Sequence, residues 1–142
     1  MTERYKKSTE LLRRSLKVIP TGSQTFSKSY TQYPVGLSPL FLDRGKGGRV
    51  WDVDGNEYVD LISGLLPIVL GYCDPDVDDA IKRQLQKGII FSLPSILETE
   101  LAEKLIRLIP CAEMVRFGKN GTDATSAAIR LARAYTGKDQ VI

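Results

Sequence analysis

Five consecutive residues, Gly118-Lys119-Asn120-Gly121-Thr122, have the composition of an anion cradle. Gly121 has no Cβ, so a phosphate oxygen can come up against its backbone, and Thr122 adds a hydroxyl donor beside the NH groups. Lys119 brings a positive charge to the same turn. A helix starting here leaves its first backbone NH groups without intrahelical partners and directs the positive end of its dipole at the loop, which is the chemistry that holds a phosphate. Two nucleotide-binding forms are excluded. A Walker A loop needs Ser or Thr after Gly-Lys, and Asn120 stands there. A dinucleotide fingerprint needs a third glycine where Val50 follows Gly45 and Gly47. The competing reading is an ordinary strand-to-helix turn whose glycines only permit the bend, and local pattern leaves both open.

Other catalytic constellations are missing from the sequence. It has no histidine, which removes Ser-His-Asp and Cys-His catalysis and His-based metal sites from these residues. Cys73 and Cys111 are far apart and form no C-x-x-C, a pattern that suits reduced thiols in a cytoplasmic protein better than a disulfide framework or a zinc site. Asp52, Asp54 and Asn56 invite a calcium reading. An EF-hand loop, however, needs Gly and Glu where Glu57 and Ser63 stand, so the cluster reads as a hairpin turn.

The elements that must position the cradle are legible on either side of it. Met114–Phe117 has the composition of a short strand stopped by Gly118. Ala124, Ala128, Leu131, Ala132 and Tyr135 then recur as one apolar stripe of a helix that Asn120 or Thr122 caps, Asp123 favours through the dipole, and Gly137 ends. The sequence stops at Gln140-Val141-Ile142, where the next strand of a parallel crossover is due, so the pattern predicts a piece of a longer chain.

Upstream, residues 2–18 read as a helix with Tyr5, Leu12 and Leu16 on one face, ended by Pro20-Thr21-Gly22. A polar loop dotted with aromatics covers 23–38, long enough to be either functional or disordered. Strands are predicted at 40–43, 49–53 and 57–62, with Trp51 and Val53 on one face and Asp52 on the other. The apolar run Leu61–Tyr72 contains Ser63, Gly64 and Pro67 and is too short to span a bilayer, so it reads as a buried loop or core segment. Asp74-Pro75 opens a helix that closes at Lys87-Gly88. Ser95 and Glu98 form a capping box for another, with Leu97, Leu101, Leu105 and Leu108 inward. Surface pairs Glu3–Lys7, Glu10–Arg14, Glu100–Lys104 and Glu103–Arg107 are spaced to support these helices.

At 142 residues, 42% hydrophobic and 26% charged, the chain has room for a core and the make-up of a globular protein. Its net charge of +3 is spread among acids along the helices, which gives nucleic-acid binding no support, and it opens on a charged, helix-patterned segment with no signal peptide or membrane span. Antiparallel strands first, then helix, helix, strand, helix, predict an α/β architecture: a small segment over residues 1–72 leading into a larger α/β layer over 73–142.

The phrases GKGGRVWDVDGNEYVDL, LGYCDPDV, ELAEKLIRLIP and MVRFGKNGTDATSAAIRLARAYTGKDQVI resemble, in order and spacing, the N-terminal part of class III pyridoxal-phosphate aminotransferases, and within that class the glutamate-1-semialdehyde aminomutase branch. The resemblance decides between the two readings of the cradle and implies a fold-type I, aspartate-aminotransferase-like architecture, truncated to the N-terminal small-domain segment plus the start of the large parallel-sheet domain. It implies pyridoxal 5'-phosphate as cofactor, a small-molecule amine substrate and a homodimer. The family's Ser-Gly-Thr at the cofactor phosphate falls on Asn120, Gly121 and Thr122, so these three inherit the cofactor-binding role, with an amide in place of the first hydroxyl. Asp123 replaces the family's Glu. On the substrate side an aromatic becomes Leu65, and the His of Leu-Gly-His becomes Tyr72.

The lysine that forms the family's Schiff base and the aspartate that faces the ring nitrogen belong to its later sequence. No lysine here aligns with the first, so no catalytic residue is assigned. The resemblance thus implies part of an aminotransferase or aminomutase that does not turn over by itself. The alternatives are a noncatalytic interaction module that keeps the family's dimer surface, and an unrelated α/β enzyme for another phosphorylated ligand.

Overall fold

A small antiparallel sheet organises the first part of the chain, and alternation along its middle strand decides which side is covered. In the computed structural model, which describes residues 3–140, strands β1 (Leu42–Lys46), β2 (Arg49–Asp52) and β3 (Glu57–Val59) pair in that order. Arg44 lies opposite Trp51, and Val50 opposite Tyr58. Val50 and Asp52 share the buried face, while Trp51 lies on the other, its ring centroid 3.9 Å from the Arg44 guanidinium carbon. β1 sits further along the chain than the composition of Leu40–Asp43 indicates, because Gly47, at φ +55°, makes a tight turn with Gly48 and lets the strand continue through Gly45 and Lys46. β3 stops short of Ile62 because the Asp60 carboxylate takes the NH groups of Ile62 and Gly64 and turns the chain.

Helix α1 (Lys6–Ser15), preceded by one short 3-10 turn, buries Tyr5, Ser8 and Leu12. It ends three residues before the expected Val18: Ile19 precedes Pro20 and is held extended, and the chain tightens through Lys17 NH to Arg14 and Val18 NH to Ser15 carbonyls. Leu16 is therefore exposed and not part of the buried face; Thr2, the expected first residue of this helix, lies outside the described residues. The helix start is capped from 47 residues away, since the Asp54 carboxylate accepts from Lys7 NH at 2.6 Å and Ser8 NH at 2.9 Å. The loop that follows is ordered into short 3-10 turns around the buried Ser29, whose hydroxyl donates to the Thr21 carbonyl and accepts from Thr31 NH.

The later helices form where the sequence puts them. Asp74 caps α2 (Pro75–Leu85) through Asp76 and Val77 NH, and the Ser95–Glu98 capping box opens α3 (Ile96–Leu108). α4 runs over Gly121–Thr136 and ends at Gly137, in the left-handed region at φ +66°.

Met114–Phe117 forms no strand, because the described residues offer no neighbouring strand to accept its backbone hydrogen bonds. The strand expected from Gln140 onward lies, apart from Gln140, outside the described residues. The apolar stripes of α2, α3 and α4 and the run Leu61–Tyr72 are present, yet Leu101, Leu131 and Tyr135 are exposed and Leu61 is 90% exposed, since nothing among the described residues covers them. Nor do the four predicted helix-surface ion pairs close among the described residues; the pairs found are Arg49–Glu57 and Lys82–Asp79, and exposed pairs contribute little either way. The chain groups into two compact units, Met1–Gly88 and Ile89–Ile142.

Candidate functional site

The cradle forms at the start of α4. Asn120 is extended, at φ −125° and ψ 161°, and occupies the N-cap position, so Gly121 and Thr122 are the first two helical residues and their NH groups fall outside the intrahelical pattern. The first bond of the helix runs from Ala124 NH to the Asn120 carbonyl at 3.2 Å. Among the described residues no group accepts from Gly121 NH or Thr122 NH, and the Thr122 hydroxyl has no partner. A Cβ built on Gly121 meets no atom of the rest of the described chain within 4 Å, so the side-chain position of Gly121 is open.

Asp123 does more than favour the dipole. One of its carboxylate oxygens accepts from Lys119 NH at 3.2 Å and Asn120 NH at 3.0 Å, which folds the loop back over the helix start and takes neither the Gly121 nor the Thr122 NH. A side chain at Gly118 would press on the Asp123 Cβ at 3.1 Å, a steric reason for glycine there that sequence reading attributes to strand breaking alone.

Asn120, Gly121 and Thr122 stand together at the start of α4, in the unit Ile89–Ile142, and Leu65 belongs to the unit Met1–Gly88. Within its unit, Leu65 lines a cavity of about 490 Å3 together with Tyr30, Tyr33, Leu42, Tyr58 and Tyr72. The backbone that presents it is unusual: Ser63, Gly64, Leu65 and Leu66 all have positive φ, from 50° to 79°. Left-handed backbone costs a residue with a Cβ on the order of 1 kcal/mol or more, so Ser63, Leu65 and Leu66 must be held in place by other contacts.

Those contacts converge on Asp60. Its carboxylate accepts from Ile62 NH and Gly64 NH, each at 2.9 Å, and from the Tyr72 hydroxyl at 2.7 Å. The Tyr72 bond and the backbone donors hold the Asp60 carboxyl below its ordinary range against a partial burial that works the other way. The same bond, with burial and the carboxylate charge added, raises the Tyr72 hydroxyl. Tyr72 is fixed from behind: its backbone exchanges two hydrogen bonds with Gly47, and its ring lies so close over Gly45 that a Cβ there would come within 2.5 Å of it. Sequence reading missed Asp60 altogether, and met Gly45 only in an excluded dinucleotide fingerprint. The only signal available was a carboxylate beside a glycine-containing run, which is common in turns.

The acid cluster Asp52, Asp54 and Asn56 is structural, as the hairpin reading has it. Asp52 is buried and accepts from Asp54 NH, Asn56 NH, the Asn56 amide and the Tyr58 hydroxyl. Burial pushes its carboxyl up, but the Asn56, Tyr58 and Asp54 donors outweigh it and the net shift is downward. Tyr58 is raised by burial and by its contacts with Tyr5 and Asp52. Among the described residues no three acids or cysteines come together as a metal site, both cysteines are free and exposed, and no helix is long and apolar enough to cross a membrane.

This geometry has counterparts in known proteins. The chain is 43% identical over its whole length to glutamate-1-semialdehyde 2,1-aminomutase 2 of an Exiguobacterium species, of which it covers 32%. It is 44% identical over 99% of its length to 3-aminobutyryl-CoA aminotransferase of Cloacimonas acidaminovorans, covering 34% of that protein. The chain thus spans about a third of the length of these curated relatives. A solved transaminase with PLP bound superposes with a TM-score of 0.84 at 34% identity, over 93% of this chain and 30% of that one. The sequence profile of aminotransferase class-III matches residues 30–142, so the chain belongs to the class-III aminotransferase family.

Proposed function

We propose that this chain supplies the phosphate grip and part of the substrate wall of a pyridoxal 5'-phosphate-dependent aminotransferase or aminomutase acting on a small amine in the cytoplasm, as a homodimer. In this reading residues 1–72 are the small-domain segment and 73–142 the start of the large cofactor-binding domain. The observation that carries it is the helix start of α4, where the Gly121 and Thr122 NH groups have no acceptor among the described residues and the side-chain position of Gly121 is open. Gly121 and Thr122 donate backbone NH groups to the phosphate, Thr122 adds its hydroxyl, and Asn120 adds a side-chain amide NH. Asp123 keeps the loop in this shape by occupying the two preceding amides. Leu65 presents an apolar surface to the substrate side chain. When bound, the cofactor supplies the aldehyde and the electron-withdrawing ring that amino-group transfer requires. The chain by itself does not turn over, since none of its lysines is assigned to the cofactor aldehyde.

The test is equilibrium dialysis of pyridoxamine 5'-phosphate, which carries the same phosphate but no aldehyde to condense with surface lysines, against the full-length protein. Binding is expected to be saturable and to weaken about a hundredfold in Gly121→Val, whose side chain would crowd the phosphate. A Cβ at this position meets no atom of the rest of the described chain within 4 Å, and a circular dichroism spectrum matching the parent's is the check that the variant folds. Equal affinity in parent and variant sinks the assignment, and no binding by either favours the noncatalytic interaction module.

A further inference from the structure

Asp60, Tyr72 and the left-handed run Ser63–Leu66 form one unit. The carboxylate grips the loop at Ile62 NH and Gly64 NH, and the tyrosine hydroxyl grips the carboxylate from the hairpin side. The tyrosine cannot follow the loop if the loop shifts, because its backbone is paired with Gly47 and its ring is seated on Gly45. Two further backbone bonds, Leu66 NH to Ile62 and Ile68 NH to Ser63, close the turn behind Leu65. Leu65 and Tyr72 line the same cavity, so the hydrogen bond at one end fixes the wall at the other.

We propose that Asp60 and Tyr72 are positioning residues for substrate selection, which hold the strained loop so that Leu65 stands at a fixed height on the substrate wall and sets the largest amine side chain accepted. This rests on the functional reading above, and in particular on Leu65 facing substrate. Neither residue touches the reacting atoms; both act through the backbone of Ile62 and Gly64. A loop held only by its own turn bonds would relax out of the left-handed region and move Leu65, changing which substrates fit without changing the phosphate grip.

The experiment compares the full-length protein with Tyr72→Phe, which keeps the ring over Gly45 and removes only the hydroxyl, with Asp60→Asn as a second variant. Hydrogen exchange of the 60–72 segment reads the loop directly. It is expected to rise about tenfold in Tyr72→Phe, the loss of one hydrogen bond to a charged group. The ratio of kcat/KM for a bulky and a small amine donor reads selection and is expected to change about tenfold, with pyridoxamine 5'-phosphate affinity unchanged. In a Leu65→Ala background the same substitution should leave the ratio alone, because the side chain being positioned is gone. Unchanged exchange in both variants overturns the latch, and an equal ratio change in both backgrounds overturns its action through Leu65. A full-length protein that binds no cofactor overturns the functional reading and the selection role with it, while the exchange measurement still separates that failure from a failure of the latch.

Discussion

Asp52 is a charged side chain with 2% of its surface exposed, and its position is tolerable only because four donors reach it. Truncation to Ala removes the acceptor of the Asp54 and Asn56 NH groups and one acceptor each of the Asn56 amide and the Tyr58 hydroxyl, and is expected to cost about 2 kcal/mol, read from the shift of a urea midpoint. Folding lowers the pKa of both Asp52 and Asp60 from the ordinary 3.8, so the unfolded chain takes up protons first as pH falls. Their contribution to stability is complete above that value and is lost as the pH drops through the folded values. Thermal unfolding of the first unit should therefore be flat in pH above about 5 and fall steeply in acid, with a shallower fall in Asp52→Asn. A fall of the same steepness in the variant would show that other carboxylates carry the effect. Tyr58 and Tyr72 shift upward, so they add nothing to this acid limb and act only above the ordinary tyrosine value of 10.0.

Between elements, the most telling contact is the cap that the β2–β3 turn gives to α1. The helix has no side-chain cap of its own at Tyr5, and Asp54 supplies one to Lys7 and Ser8 NH, while the Asn56 amide donates to the Arg4 carbonyl. Asp54→Ala is expected to destabilise the first unit by about 1 kcal/mol and to raise exchange at the amides of residues 7 and 8 more than elsewhere in α1. Uniform exchange along the helix would mean that the turn does not cap it. α4 uses the opposite arrangement: its own Asp123 turns back to the preceding loop, and the first helical amides remain available. The difference between a helix start that is consumed by structure and one that can take a ligand thus lies in where the nearest carboxylate points.

At the scale of the whole molecule, burial is concentrated in one unit. Tyr5, Ser8, Leu12, Ser29, Val50 and Asp52 are the buried residues among those described, and all lie within Met1–Gly88. The helices of Ile89–Ile142 carry apolar stripes and complete caps but cover none of their residues fully. Local stability follows burial, so limited proteolysis of this chain should cut first between residues 89 and 140 and leave a product ending near residue 88. First cuts inside α1 or the sheet would contradict that ranking.

The sequence by itself determined α2, α3 and α4 and their caps, because these are settled within a few residues. Asp74-Pro75, Ser95 with Glu98, and Gly137 act on their own neighbours, and the motif resemblance named the family from the same local runs. The tertiary structure alone decided that Asp54 caps a helix 47 residues away, that the buried face of β2 carries Asp52 and leaves Trp51 outside, and that Asp60 and Tyr72 lock the loop around Leu65. Strand Met114–Phe117 shows the same division from the other side. Its composition suits a strand, but a strand exists only where a neighbour accepts its hydrogen bonds, and that is a property of the assembled fold.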